Sequence, residues 1–550
     1  MEEKNPHSIH TFLFPFKWEV KSTSKQGFQS LDERTPLDAF IKNMELDFWE
    51  KFKFDFKVYD GYHTYNDYNY FYSHVRDVLN LDNESDKTLV SGLQYQYSKI
   101  NQESEYDIYV LGEIPLTLKI KDILLNIYEH GVGILSFHLE NYTETDFNRI
   151  LKINEYGRRI YPQFLGNKFP YTQDTKNNFL ADKIALTNLP TPHGMLVVED
   201  FSYYEDFSNL TDAFFVLPKF IQSLLGDKIH SNEKIANVGD ILIDPVLDDR
   251  MFVLCYMVDD KLLIELKKFN EVKEEYIYQT SNKWYRFLFV DDSTASCHSK
   301  TMLKNLLTDQ TYDRWLEHTG LDHITNNIFH SGQLYGVSRY SFVLLVGKSY
   351  FTQHIVINHA RYIYFEMLML CLLQRTYILN FGGEVARISK TLGKNGGDIS
   401  ESRLQISRLY LQYIKFVNRI NFREITPQEQ GIELYNLIHK TMRIQEEVND
   451  LDKEIQELNN YVESFEEQKL SRVASWFLPI SLFAGILGMN TLENSTLDNL
   501  SWADSFNSIR WILTIKLLFT SVILIWAIWL FVLQYGPRFI KNLRKIKQWK

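Results

Sequence analysis

The chain has 550 residues, 45% of them apolar, and a net charge of −11. That length can bury a large core and implies more than two domains, while the acidic balance argues against nucleic acid as a partner. Cys255, Cys297 and Cys371 are scattered and form no Cys-x-x-Cys pair, so neither a disulfide framework nor a zinc site is expected, and a reducing compartment fits.

The opening MEEKNPHSIH carries no basic-then-apolar signal, which places the N-terminal bulk in the cytoplasm. Residues 1–345 read as an α/β domain, in one piece or two subdomains. Tyr106–Leu111 is strand-like. Ile120, Ile123, Leu124, Ile127 and Tyr128 recur at helical spacing and predict an amphipathic helix closed by Gly131. Val132–Leu139 alternates as a strand, and Thr143-x-x-Asp146 opens a helix that stops at Gly157. Further strands are expected at Met195–Val198, Ile241–Ile243, Met251–Val258, Trp284–Val290 and Ser341–Val346, in one or two sheets flanked by helices. Residues 20–105 and 160–240 are too irregular to parse.

Three acidic pairs stand out: Asp248-Asp249, Asp259-Asp260 and Asp291-Asp292. Aspartate favours turns and caps, which accounts for them simply. The sharper reading is a cytoplasmic regulatory site for Mg²⁺, which takes one or two carboxylates plus waters. No phosphate loop or His-Glu-x-x-His motif occurs, so neither an enzyme nor a cofactor is expected.

Residues 346–469 read as helical. The apolar run Tyr362–Leu373 is short and contains Glu366, which predicts a buried helix rather than a membrane span. Ser400 can cap a helix running to about Ile425, and Thr426-Pro427-Gln428-Glu429 marks another helix start. From there Leu437, Thr441, Ile444, Val448, Leu451, Ile455, Leu458, Val462 and Phe465 alternate steps of three and four, a coiled-coil-like seam for partner helices. With no proline before Pro479, a stalk helix from Pro427 to Asn490 would span on the order of 95 Å. Nine acids lie between Glu446 and Glu467, as a solvated face or as a carboxylate ring that concentrates cations.

Residues 470–550 predict a two-helix transmembrane hairpin, with spans at about 470–490 and 510–533. Val473–Met489 has no charge and Trp511–Leu533 only Lys516, lengths of roughly 25 and 34 Å against a hydrocarbon core of roughly 30 Å. The tail Gln534–Lys550 is basic, and the loop 491–508 carries Glu493, Asp498 and Asp504 without a base. The positive-inside rule puts the tail in the cytoplasm and the loop outside, with both termini inside a plasma (inner) membrane.

The first span ends in Gly488-Met489-Asn490, preceded by Gly485, Ser481 and Pro479. A span closing in Gly-Met-Asn, a short loop, a second span and a Lys/Arg-rich end resemble the CorA family of divalent-cation channels. Two positions depart from that pattern: Leu487 stands where the family usually has an aromatic, and the loop lacks Met-Pro-Glu. The resemblance implies a homopentamer with the first span lining the axis and Gly488, Met489 and Asn490 as selectivity filter. It also implies Ser481 as an inner hydroxyl ring, and Leu478 and Leu470 as apolar constrictions. The expected cargo is Mg²⁺, with Co²⁺, Ni²⁺ or Zn²⁺ as alternatives, gated by intracellular divalent ions. A zinc carrier resembling ZntB is the nearest alternative, and a non-conducting two-span coiled-coil receptor or scaffold is the alternative from another class. The expected architecture is an α+β membrane protein whose partners are itself, the bilayer and divalent cations.

Overall fold

A computed structural model describes residues 5–22, 36–52, 68–79, 92–160, 181–201, 217–231, 233–247, 250–292, 297–314, 319–321, 328–330, 332–392, 399–488 and 522. The chain divides into two compact units, Met1–Val462 and Glu463–Lys550.

The first unit is mixed α and β. Its main sheet has fourteen strands: β1 (Ser8–Val20), β2 (Trp49–Lys51), β3 (Gly92–Tyr97), β4 (Glu105–Tyr109), β5 (Leu116–Tyr128), β6 (Val132–Asn141), β7 (Lys183–Thr191), β8 (Gly194–Asp200), β9 (Ile229–His230), β10 (Ile241–Pro245), β11 (Phe252–Val258), β12 (Thr311–Tyr312), β13 (Gln333–Val337) and β14 (Ser341–Val346). The order is β12-β13-β14-β11-β1-β6-β5-β4-β7-β8, with β10 and β9 beside the end of β1, and β3 and β2 beside β5. Among the described residues only β11–β14 and β9–β10 pair in parallel. The sheet is therefore mixed and mostly antiparallel.

Both faces are covered, which the alternation along β1 makes plain. Phe12, Phe14, Phe16 and Trp18 enter one core, while Ile9 and Leu13 enter the other. The first core is closed by α1 (Phe147–Gly157), α2 (Asp260–Lys267) and α3 (Asn282–Phe289), among others. The second lies under α4 (Tyr364–Leu392), α5 (Ile399–Arg419), α6 (Glu429–Met442) and the start of α7 (Ile444–Gly488). The helices expected as a separate region thus pack on the sheet within the first unit. Met367–Leu373 of α4 is buried, as expected of a core helix.

Several expected elements stand where the pattern put them: β4, β6, β8, β10, β11, β14 and α1. The cap of α1 is Asp146, whose side chain accepts from the Arg149 amide, rather than Thr143. Two elements are of the other type. Ile120–Tyr128 is not a helix but the second half of β5. A bulge between Ile120 and Asp122 switches the alternation, so Leu116, Leu118 and Ile120 share a core with Ile123, Leu125 and Ile127. That one-residue slip makes a strand mimic helical spacing. Gly131 closes no helix; with His130 it takes positive φ in the β5–β6 hairpin turn. Trp284–Val290 is not a strand but lies in α3 and its cap, where Ser281 accepts from the Trp284 amide and Trp284, Tyr285, Phe287 and Leu288 are buried.

The stalk also differs. Arg443 sits at φ 57° and separates α6 from α7, so no single helix runs from Pro427. The helix start expected at Thr426 comes at Gln428, and Ser400 lies just inside α5 rather than capping it. The break rotates the buried stripe: α6 buries Leu434, Tyr435, Ile438 and Met442 while the seam position Leu437 is only partly buried, and from Ile444 the heptad seam itself enters the core. Ile444, Val448, Leu451, Ile455 and Val462 are buried within the chain itself, so this part of the seam is not free for partner helices. Phe465 lies among the side chains outside the description.

Candidate functional sites

The 45-residue helix α7 ends at Gly488. Met489 and Asn490 lie outside the described residues, as do Glu493, Asp498, Asp504 and all of the second span but Val522. Every described side chain from Glu463 to Ser481 is exposed, Leu470 at 68% and Leu478 at 66% among them, with Val473, Phe477 and Ile480. The Ser481 hydroxyl donates to the Leu478 carbonyl at 3.1 Å, a back-bond that satisfies it inside a helix. Among the described residues one helix is long and apolar enough to cross a membrane, Thr352–Lys390; its apolar window is 72% buried, as in the core helix of a folded domain.

Of the acidic pairs, Asp248 and Asp249 lie outside the described residues. Asp259 caps α2, accepting from the Leu262 amide at 3.0 Å, and Asp260 accepts from the Lys348 amide at 2.6 Å. Asp292 faces Arg286 at 3.5 Å, and the Asp291 amide donates to the Arg286 carbonyl. These are cap and loop contacts, the simpler of the two sequence readings. Among the described residues no three His, Cys, Asp or Glu side chains converge.

A further concave site lies elsewhere, under the N-terminal end of α4. It is a cavity of about 230 Å³ between β3, β5, β6 and the helical turns that precede α4. Those turns, Thr352–Val356 and His359–Ile363, are π-helical, a form that recurs at functional sites. The β5 bulge turns Asp122 toward this face, across from His138 in register. Asp122 accepts from Gln96 Nε2 at 3.0 Å and from the Ile123 amide at 2.8 Å. Burial nevertheless raises its pKa to about 6. Glu140 is paired with Arg361 at 2.6 Å and accepts from the Tyr142 hydroxyl. His138 stacks edge-on against Phe365, and burial lowers its pKa to about 3, so it is neutral.

Among the described residues, three groups lining the cavity hold buried atoms without a hydrogen-bond partner: the Gln94 amide, Glu366 Oε2 and Arg361 Nε. Gln94 is 2% exposed, and neither its amide oxygen nor its nitrogen is hydrogen-bonded. Glu366 is buried with Oε2 unpartnered, and burial raises its pKa to about 8. A buried polar group without a partner costs about 1–3 kcal/mol, so such groups signal something other than stability. Sequence reasoning missed this site. Reading Ile120–Tyr128 as a helix hid the face that carries Asp122. Glu366, an acid inside a twelve-residue apolar run, was the available signal, and it served only to exclude a membrane span.

No protein-family model matches the chain, and a search of curated proteins finds no match.

Proposed function

We propose that the chain is a CorA-like channel that moves hydrated divalent cations, Mg²⁺ first among them, across the plasma membrane. The observation that carries the reading is Gly488-Met489-Asn490 at the end of a charge-free apolar segment, with a second apolar segment and a basic tail beyond it. The exposure of Leu470, Val473, Phe477, Leu478 and Ile480 supports it, since large apolar side chains left outside a core suit lipid or a neighbouring helix.

One hairpin of two spans encloses no pore, so transport needs an oligomer, a pentamer by the resemblance. Each subunit then places one Asn490 in a ring at the external mouth. Mg²⁺ dehydrates reluctantly and keeps several waters. Neutral amide oxygens accept hydrogen bonds from those waters without stripping them, and they hold the ion less tightly than a ring of carboxylates would, so it can leave. Ser481 supplies an inner ring once its hydroxyl turns from the Leu478 carbonyl. Leu478 and Leu470 narrow the path and close it by dewetting. Glu493, Asp498 and Asp504 make the external loop acidic and attract cations to the mouth.

The test is Mg²⁺ flux into liposomes holding the purified protein, wild type beside Asn490→Ala, with Zn²⁺, Co²⁺ and Ni²⁺ compared. Wild-type flux that is lost in the variant is the expected result. Wild type that is assembled but passes no divalent ion would refute transport and leave the two-span receptor as the reading to pursue.

A further inference from the structure

The cavity under α4 has no place in the transport path proposed above, yet it is built like a ligand site. Its volume of about 230 Å³ exceeds the ~150 Å³ that admits benzene and falls short of the ~300 Å³ at which sites for drug-sized ligands begin. A ligand of one ring, or of a few heavy atoms around a branch point, matches that room.

Charge decides the class. Three carboxyl groups line the cavity, Asp122, Glu140 and Glu366, against two cations, Lys121 and Arg361. Arg361 is already committed to Glu140. Lys121 is exposed, and its pull is the weakest influence on Asp122. His138 brings no positive charge, because burial keeps it neutral. Among the described residues, no cation is therefore assigned to Glu366, which lines the cavity. The walls supply the other half of the signature: Phe52, Phe71, Tyr362 and Phe365 surround the same space. Aromatic faces attract cations through their quadrupole, and aromatic cages with a nearby carboxylate suit quaternary and alkyl ammonium groups. A metal ion is the poorer match, since among the described residues the three carboxyl groups line the walls without converging on one point.

We infer that this cavity binds a small organic ammonium cation, with Glu366 and Asp122 as counter-charges, Gln94 as hydrogen-bond partner for a polar substituent, and the aromatic side chains around the cationic group. Binding would give the unpartnered Glu366 oxygen and the Gln94 amide the partners that the described residues do not supply.

The test uses the full chain in maltoside detergent, with choline as probe and 3,3-dimethylbutan-1-ol, its neutral isostere, as control. Titration calorimetry and thermal stabilisation read both. Choline is expected to bind and stabilise, and the isostere to bind at least roughly tenfold more weakly, the equivalent of one charge-dependent interaction. Glu366→Gln is expected to weaken choline by roughly tenfold at pH 8.5. Choline affinity should rise from pH 6 to pH 8.5, because its quaternary charge does not titrate while Asp122 and Glu366 ionise. Equal binding of isostere and choline would overturn the inference in favour of a merely apolar pocket. So would absence of any choline response at millimolar concentration, or Mg²⁺ producing the Glu366-dependent stabilisation instead. The choline and isostere comparison needs no variant, so a misfolded Glu366→Gln protein leaves the test intact.

Discussion

Glu366 sets up a pH dependence of stability whose size follows from its surroundings. It belongs to α4, a core helix of the first unit, and its carboxyl is buried, with a pKa raised from 4.5 to about 8 by desolvation. An acid with a raised pKa in the folded state binds its proton more tightly folded than unfolded. Its contribution is therefore fully present below about pH 4.5 and is lost as pH rises to about 8. Each pH unit in that window corresponds to about 1.36 kcal/mol, so moving from pH 5 to pH 8 costs on the order of 4 kcal/mol. Glu366→Gln removes the titration. The amide's own unmet donors add an offset, but that offset does not change with pH. For a unit of 462 residues the unfolding entropy is roughly 1 kcal/mol per degree, so the expected effect is roughly 4 °C. The assay is thermal unfolding of wild type and variant, followed by tryptophan fluorescence at pH 5 and pH 8 without added amine. The melting temperature of the variant, relative to wild type, should rise by several degrees between the two pH values. A relative melting temperature that stays the same would refute the argument that Glu366 is buried without a counter-charge.

Two further substitutions probe the scaffold. Gly133 of β6 stands directly opposite Phe16 of β1, and a Cβ there would lie 2.4 Å from the ring. Phe16 is fully buried between Phe14 and Phe40 and cannot yield cheaply, so Gly133→Ala should cost about 1–3 kcal/mol; an unchanged melting temperature would contradict this packing. At Arg443, held at φ 57° between α6 and α7, glycine should stabilise by up to about 1 kcal/mol and valine should destabilise by about 1–2 kcal/mol. The reverse order in denaturant titrations would mean that the two helices run on as one.

The strands that the sequence made visible were those whose alternation runs unbroken into a buried sheet, such as β6, β11 and β14. Their order was not visible, because β1 takes its neighbours from β6, β10 and β11, all more than one hundred residues away. The β5 bulge defeated the periodicity argument by adding a single residue to a regular alternation. In and just after α3, the aromatic-rich run Trp284–Val290 read as a strand, yet its buried side chains follow helical spacing and Ser281 marks the helix start. The break at Arg443 has no glycine or proline to announce it, so the heptad pattern was read straight through it. The ion-path residues rest on the resemblance alone beyond Gly488. The cavity combines residues from seven separate segments, a convergence that no local pattern records.

The position of β1 has a consequence for biogenesis. Phe12 pairs with Phe137 on one side and with Val253 on the other, 125 and 241 residues further along the chain. Ribosomes add about 5–20 residues per second, so the second partner is synthesised on the order of 10–50 s after Phe12. For that interval the segment SIHTFLFPF is an apolar ribbon with an open edge, the kind of segment that holdase chaperones shield from aggregation. Slowing translation between the codons for β6 and β11 would lengthen that exposure, so the yield of folded protein should depend on codon usage in that interval more than on codon usage downstream of β14.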